Sequence, residues 1–191
     1  MTNEDPTTDA GVRLLRGYEP YLIPAQLQTL DYTTAVLRAR HALGSRSVDD
    51  RDLDGAVSAR RAQHADWRPR GGEAHLLISE QALYTTVGNR HVMVAQLEIL
   101  QEVLEEPDPI EVFILPLHAQ FVGPATNFLF YDESHVTVET ATCQVTITDP
   151  QALACYETLF EQLTAQSSSY HGGLKLVTTA LRHHLRSDDS R

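Results

Sequence analysis

Five side chains in this sequence are candidates for joint chemistry: Gln28, Tyr32, Arg60, Glu80 and His118. Gln28 and Tyr32 stand four residues apart, so one helical face would present an amide and a phenol side by side. Glu80 follows the apolar run Ala74 to Ser79 and precedes an apolar helix start. A carboxylate there has two open readings. It is either a structural anion at a helix N-terminus, or a carboxylate in a pocket with a raised pKa, suited to general base work or cation recognition. His118 follows Ile114-Leu115-Pro116, at a strand end where loops commonly place functional groups. Polar groups set in apolar frames must find partners. These side chains therefore either converge on one ligand-binding cavity with Arg60 near its rim, or are each satisfied separately by local backbone. If the chain catalyses a reaction, Glu80 and His118 are its catalytic candidates.

Other patterns point to less. Arg60, Arg61, Arg68 and Arg70 surround Trp67 with Asp66 the only acid among them. They read as a solvated helix face, or as an anion or partner site whose guanidinium groups present paired donors. The nine histidines include no His-x-x-x-His pair. His183 and His184 read as solvated residues favoured by a helix C-terminal dipole. The two cysteines, Cys143 and Cys155, offer no Cys-x-x-Cys spacing, and Cys143 reads as a small buried apolar residue on a strand. No Gly-x-Ser-x-Gly elbow, phosphate-binding loop or Gly-x-Gly-x-x-Gly stretch occurs. Neither a metal nor a cofactor is expected.

The elements that would position these residues follow from periodicity. Pro24 suits a helix start, and Tyr32, Val36, Ala39 and Leu43 share one helical face ended by Gly44. Val48 to Trp67 reads as a second, more polar helix, with a break at Trp67 to Glu73. Ala74 to Ser79 reads as a strand, with Ser79 capping a short helix that stops by Gly88. Met93, Leu97, Leu100 and Leu104 form an apolar stripe on a helix closed by Pro107 and Pro109. Glu111 to Pro116, Thr126 to Tyr131, Val136 to Thr140 and Gln144 to Thr148 are β-branched and aromatic runs, hence strands. Asp149-Pro150 starts a helix carrying Leu153, Tyr156, Phe160 and Leu163, and a last helix carries Leu174, Val177, Leu181 and Leu185. This predicts an α+β fold with helices packed around a small, largely antiparallel sheet. Residues 1–17 read as a flexible tail, 18–186 as one domain and 187–191 as a second tail.

Composition bounds the partners. The 191 residues carry 15 lysines and arginines against 26 acids, a net charge of −11. That charge opposes phosphate backbones, so no nucleic-acid partner is expected. No apolar run approaches the ~20 residues that span a bilayer, so no membrane partner is expected either. Met1 to Ala10 is polar without lysine or arginine, unlike a secretory signal, which favours a cytoplasmic location.

The stretch Tyr18 to Leu37, YEPYLIPAQLQTLDYTTAVL, resembles the opening "EPxLIPGLLQTxxYAxAxL" of a known family. That family is the C-terminal domain, of uncharacterised function, of actinobacterial Xre-family helix-turn-helix regulators of the WhiJ type. Leu77 to Gly88 is similar to the family's "LxExALxxxVG", Met93 to Leu100 to "MxxQLxxL", and Val112 to Leu117 to "VxVLPF". Phe128, the strand ending at Glu139 and the Tyr156/Phe160/Leu163 helix also fit. There are departures. Ala25 replaces the family glycine, and Gln63 and His64 follow Arg60 where the family carries Arg-x-x-Arg-Gln. Tyr84 stands where an arginine is usual. Only seventeen residues precede Tyr18, so the expectation is a free-standing domain without its DNA reader. The resemblance implies a sensor or interaction module that binds a small molecule or a small regulatory partner protein. A homodimer is left open. The alternative is an enzyme derived from such a domain, acting on a small molecule in a secondary-metabolite pathway.

Overall fold

Leu14–Glu19, with Leu15, Gly17 and Tyr18 buried, is paired on both sides and is the strand around which the sheet is organised. The computed structural model describes residues 12–43, 55, 57, 58, 72–107, 109–140 and 143–186. Strand β1 (Leu14–Glu19) lies parallel to β2 (Glu73–Ser79), and β2 lies parallel to β3 (Ile110–Leu115). On its other side β1 pairs antiparallel with β4 (Phe128–Tyr131), followed by β5 (His135–Glu139) and β6 (Gln144–Ile147). The order is β3-β2-β1-β4-β5-β6. A 3-10 turn, Ala25–Leu27, precedes helix α1 (Leu30–Leu43). Helices α2 (Glu80–Tyr84) and α3 (Arg90–Glu105) link β2 to β3, and α4 (Pro150–Thr164) and α5 (Tyr170–Arg186) follow β6.

The expected small, largely antiparallel sheet is corrected to a six-stranded mixed one; the α+β class stands. Two causes account for the difference. Helical segments join β1 to β2 and β2 to β3, and such crossovers are what permit parallel pairing. The second cause is β1 itself, whose Arg16 and Gly17 break any apolar alternation, so that Leu14–Gly17 fell within the expected tail. Gly17 is required by close approach. A Cβ there would lie 2.6 Å from Leu129 Cδ1 and 3.3 Å from the Phe128 carbonyl oxygen. Asp132, at φ 53, closes the β4–β5 turn and binds the strand start, its Oδ1 accepting from the Arg13 and Leu14 amides at 3.0 and 2.8 Å.

The sheet is covered on both faces. Leu15, Leu76, Ile78, Val112 and Ile114 face α1, α3 and α5, where the Met93, Leu97, Leu100 and Leu104 stripe is buried as expected. Tyr18, Leu77, Leu115, Phe128 and Val136 face α4 through Phe160 and Leu163. Helix starts follow the expected caps: Ser79 Oγ accepts from the Gln81 amide, and Asp149 from that of Ala152. The inward face of α5 differs from the expected leucine face. Gly173, Val177, Ala180 and His184 are its buried residues, while Leu185 is exposed. Gly173 lies so close to its neighbours that a Cβ would meet the Ser168 carbonyl oxygen at 3.0 Å and Leu104 at 3.2 Å. Ser168 exchanges two backbone hydrogen bonds with Ile114, which covers the β3 edge. Cys143 is exposed beside β6 rather than buried on a strand. Among the described residues no helix is long and apolar enough to cross a membrane. Of the expected polar helix Val48–Trp67 only Gly55, Val57 and Ser58 are described, all helical and Val57 buried; its other residues and both tail ends, 1–10 and 187–191, lie outside the described residues.

Candidate functional site

Parallel pairing gathers the predicted polar residues at one edge of the sheet. Gln28 and Tyr32 follow β1, Glu80 follows β2 and His118 follows β3, so all four belong to segments leaving the carboxyl ends of adjacent parallel strands. Ligands commonly bind outside such ends in open α/β sheets.

At the β1 end the side chains are consumed in structure. Gln28 is not in α1 but in the turn before it. Its Nε2 donates to the Ile23 carbonyl at 2.7 Å, and its Oε1 accepts from Thr33 Oγ1 at 3.1 Å. The Tyr32 hydroxyl accepts from the Ile23 amide at 3.1 Å, and the residue is fully buried. Burial pushes its phenol up to about 12; the Ile23 hydrogen bond opposes that shift and the Glu19 charge adds to it. Gln96, also fully buried, accepts from the Thr29 amide at 2.7 Å and donates to the Leu27 carbonyl at 2.8 Å. Together these groups fasten the β1–α1 connection to α3. Each would leave a buried backbone group unpaired if removed.

The β2 and β3 ends meet at a second group. Glu80 Oε2 accepts from the Leu117 amide at 2.9 Å, which ties α2 to the loop after β3. His118 lies on that loop and is exposed, as are Leu117 and Phe121, 64% and 83% accessible. Among the described residues no hydrogen bond or ion pair joins Gln28 or Tyr32 to Glu80 or His118. Arg60 lies outside the described residues.

One turn along α2 from Glu80, Tyr84 borders a cleft of about 440 Å3 completed by Thr179, Arg182, His183 and Arg186 of α5. The Tyr84 phenol is held above its ordinary pKa, first by burial and then by the Glu80 charge. His183 meets Tyr84 edge-on, with ring centroids 5.4 Å apart. Its neighbour His184 is not solvated: it is 5% exposed and its Nε2 lies 2.9 Å from the Leu83 carbonyl oxygen. Sequence reasoning passed over this cleft, although two arginines flanking a histidine pair near one helix end of an acidic chain were a visible signal.

A polar row also crosses the α4 face of the sheet. Arg16, His75 and Glu111 stand in register on β1, β2 and β3. Arg16 lies over the Phe130 ring, 5.0 Å from its centroid, and its Nη1 pairs with Glu157 of α4 at 3.1 Å. Its Nε is buried without a hydrogen bond among the described residues. His75 and Glu111, 4.0 Å apart, line a smaller recess of about 230 Å3 with Glu73, Pro107, Pro109 and Tyr170.

With this geometry the family match can be read. The family described as Domain of unknown function (DUF5753) matches residues 7–178. The chain belongs to that family. The match takes in β1, the parallel crossovers and most of α5, so the DUF5753 region contains the carboxyl-edge loops and the α2 side of the cleft. Arg182, His183 and Arg186 lie beyond the matched DUF5753 residues. No curated protein matches the chain.

Proposed function

We propose that this DUF5753 domain is a sensing and interaction module of the kind found in WhiJ-type regulators of the Xre family. It binds a small regulatory partner protein or a small molecule at the carboxyl edge of its parallel strands. The observation that supports this is an anchored loop with apolar side chains turned outward. Glu80 holds the Leu117 amide, Gln166 Oε1 accepts from the Gln120 amide at 2.7 Å, and the Ala119 amide donates to the Pro116 carbonyl. At the two ends of this tied stretch the Leu117 and Phe121 side chains project into solvent. A loop fixed before binding loses less conformational entropy on association, and aromatic side chains are frequent anchors of binding energy.

The catalytic reading has less support. Glu80 Oε2 is used in tying the loop to α2 through the Leu117 amide, and His118 on that loop is exposed.

Co-expression with whichever small regulatory protein a neighbouring gene encodes tests the partner reading. A stable complex is expected on size exclusion. Leu117→Ser and Phe121→Ser should each weaken it at least tenfold, about 1.4 kcal/mol, without altering the melting temperature. A complex indifferent to both substitutions would remove the loop from the interface and with it this assignment.

A further inference from the structure

The outer side of the last two turns of α5 concentrates positive charge in a chain of net charge −11. We propose that the cleft between α2 and α5 binds a small anionic molecule bearing a phosphate or carboxylate, anchored by Arg182 and Arg186. This rests on the small-molecule branch of the reading above and gives it a ligand class.

Four observations carry it. First, the helix dipole does not require these arginines, because Arg90 already donates from Nη2 to the Leu185 carbonyl at 2.9 Å. Basic residues in a last turn are ordinarily explained by that end's exposed carbonyls, and here another helix supplies the cation. Second, Arg182 and Arg186 stand at i and i+4, where like charges repel. Among the described residues neither makes an ion pair. Third, the geometry is concave: about 440 Å3 lies among Tyr84, Thr179, Arg182, His183 and Arg186. That volume falls within the roughly 300–1,000 Å3 typical of small-molecule sites. Fourth, the lining suits a particular shape of ligand. Guanidinium groups present forked donors that match phosphate or carboxylate oxygens, while the Tyr84 and His183 rings offer an aromatic wall to a flat body. Thr179 serves only as wall, since its hydroxyl donates to the Lys175 carbonyl. A polyanion is disfavoured, because approach of an extended phosphate chain meets the field of the whole acidic surface.

The test is calorimetric titration of the full chain with phenyl phosphate and with inorganic phosphate, in ~150 mM salt so that long-range attraction is screened. One saturable site for phenyl phosphate is expected, with Kd below ~1 mM and weaker binding of inorganic phosphate. Arg182→Gln and Arg186→Gln should each weaken it at least tenfold. Arg38→Gln, which removes an exposed charge from α1, should leave it unchanged. The absence of saturable heat up to ~10 mM phenyl phosphate, a Kd above ~10⁻² M, would overturn the proposal. So would equal weakening by Arg38→Gln, or preference for anionic vesicles or duplex DNA at equal phosphate. Loss of the anion site with the Phe121-dependent complex intact would leave the interaction reading standing. Failure of both would remove it.

Discussion

The two halves of the sheet are built to different rules. β2 has a partner on each side, and Leu76, Leu77 and Ile78 are all fully buried in succession, on alternating faces. β6 has one partner, and its residues are exposed except for the half-buried Ile147. Parallel strands need long helical crossovers, which then cover them; β4, β5 and β6 need only short turns. The same difference distributes functional capacity. Crossover segments carry Tyr32, Gln28, Glu80, Tyr84 and the Leu117–Phe121 loop, whereas the β4–β5 turn carries Asp132, which is spent on holding β1. Burial extends through β4 and β5 to Phe128, Phe130 and Val136 and fails only at β6, while the candidate chemistry belongs to the parallel half.

The largest expected effect lies in the layer that covers that half. Leu97 is fully buried in the α3 stripe, in the same core cluster as Leu76 and Val112. Truncation to alanine removes methylene groups and leaves a cavity that packed neighbours fill only in part, so Leu97→Ala should cost about 2–5 kcal/mol in urea unfolding. A loss below ~1 kcal/mol would mean that this side of the sheet is no better packed than β6 and would erase the contrast.

What could be read from the sequence divides along the same line. The α3 stripe, the Ser79 cap and the Asp149-Pro150 start were legible because each is a local pattern with one physical meaning. β1 was not. Its burial depends on Gly17 admitting Leu129 and on Arg16 lying over Phe130 and pairing with Glu157, contacts made by residues far away in sequence. The α5 face was misread for a related reason. Large leucines suggest an inward side, but Gly173 and Ala180 let the helix approach β3 and α3 closely, which turns His184 inward and Leu185 out. At the site, the spacing of Gln28 and Tyr32 suggested one helical face, but Gln28 lies in the turn before α1. Their common attachment to Ile23, and the service of Gln96 to the same connection, required the tertiary fold.

The next effect sharpens the contrast through pH. The Tyr32 phenol stays protonated to about 12 in the folded chain, while in the unfolded chain it ionises near its ordinary 10.0. Between those values the folded state binds the extra proton, so stability falls as pH rises. One pKa unit corresponds to ~1.4 kcal/mol, so about that much of Tyr32's share should be lost between pH 8 and pH 11. Tyr32→Phe leaves the Ile23 amide without its acceptor and is less stable at neutral pH, yet its stability should fall less steeply over this interval. Parallel alkaline slopes for the two proteins would show that the phenol is solvated and the β1–α1 connection loose.

The smallest effect belongs to the antiparallel edge. Val145 is 43% exposed at the centre of β6, which ends the sheet with one ladder unpaired. Val145→Thr keeps the branched shape that suits a strand and adds a hydroxyl that water can satisfy, so its cost should stay within ~0.5 kcal/mol. The measurement gains meaning when repeated at two protein concentrations. An unpaired edge strand can extend its sheet by pairing with another chain, and a second copy seated on β6 would bury Val145. The penalty would then exceed ~1 kcal/mol, since burying the hydroxyl has a desolvation cost, and it would grow with concentration because a dimer's stability follows mass action. A small penalty independent of concentration means that β6 faces water as the one open edge of an otherwise enclosed sheet.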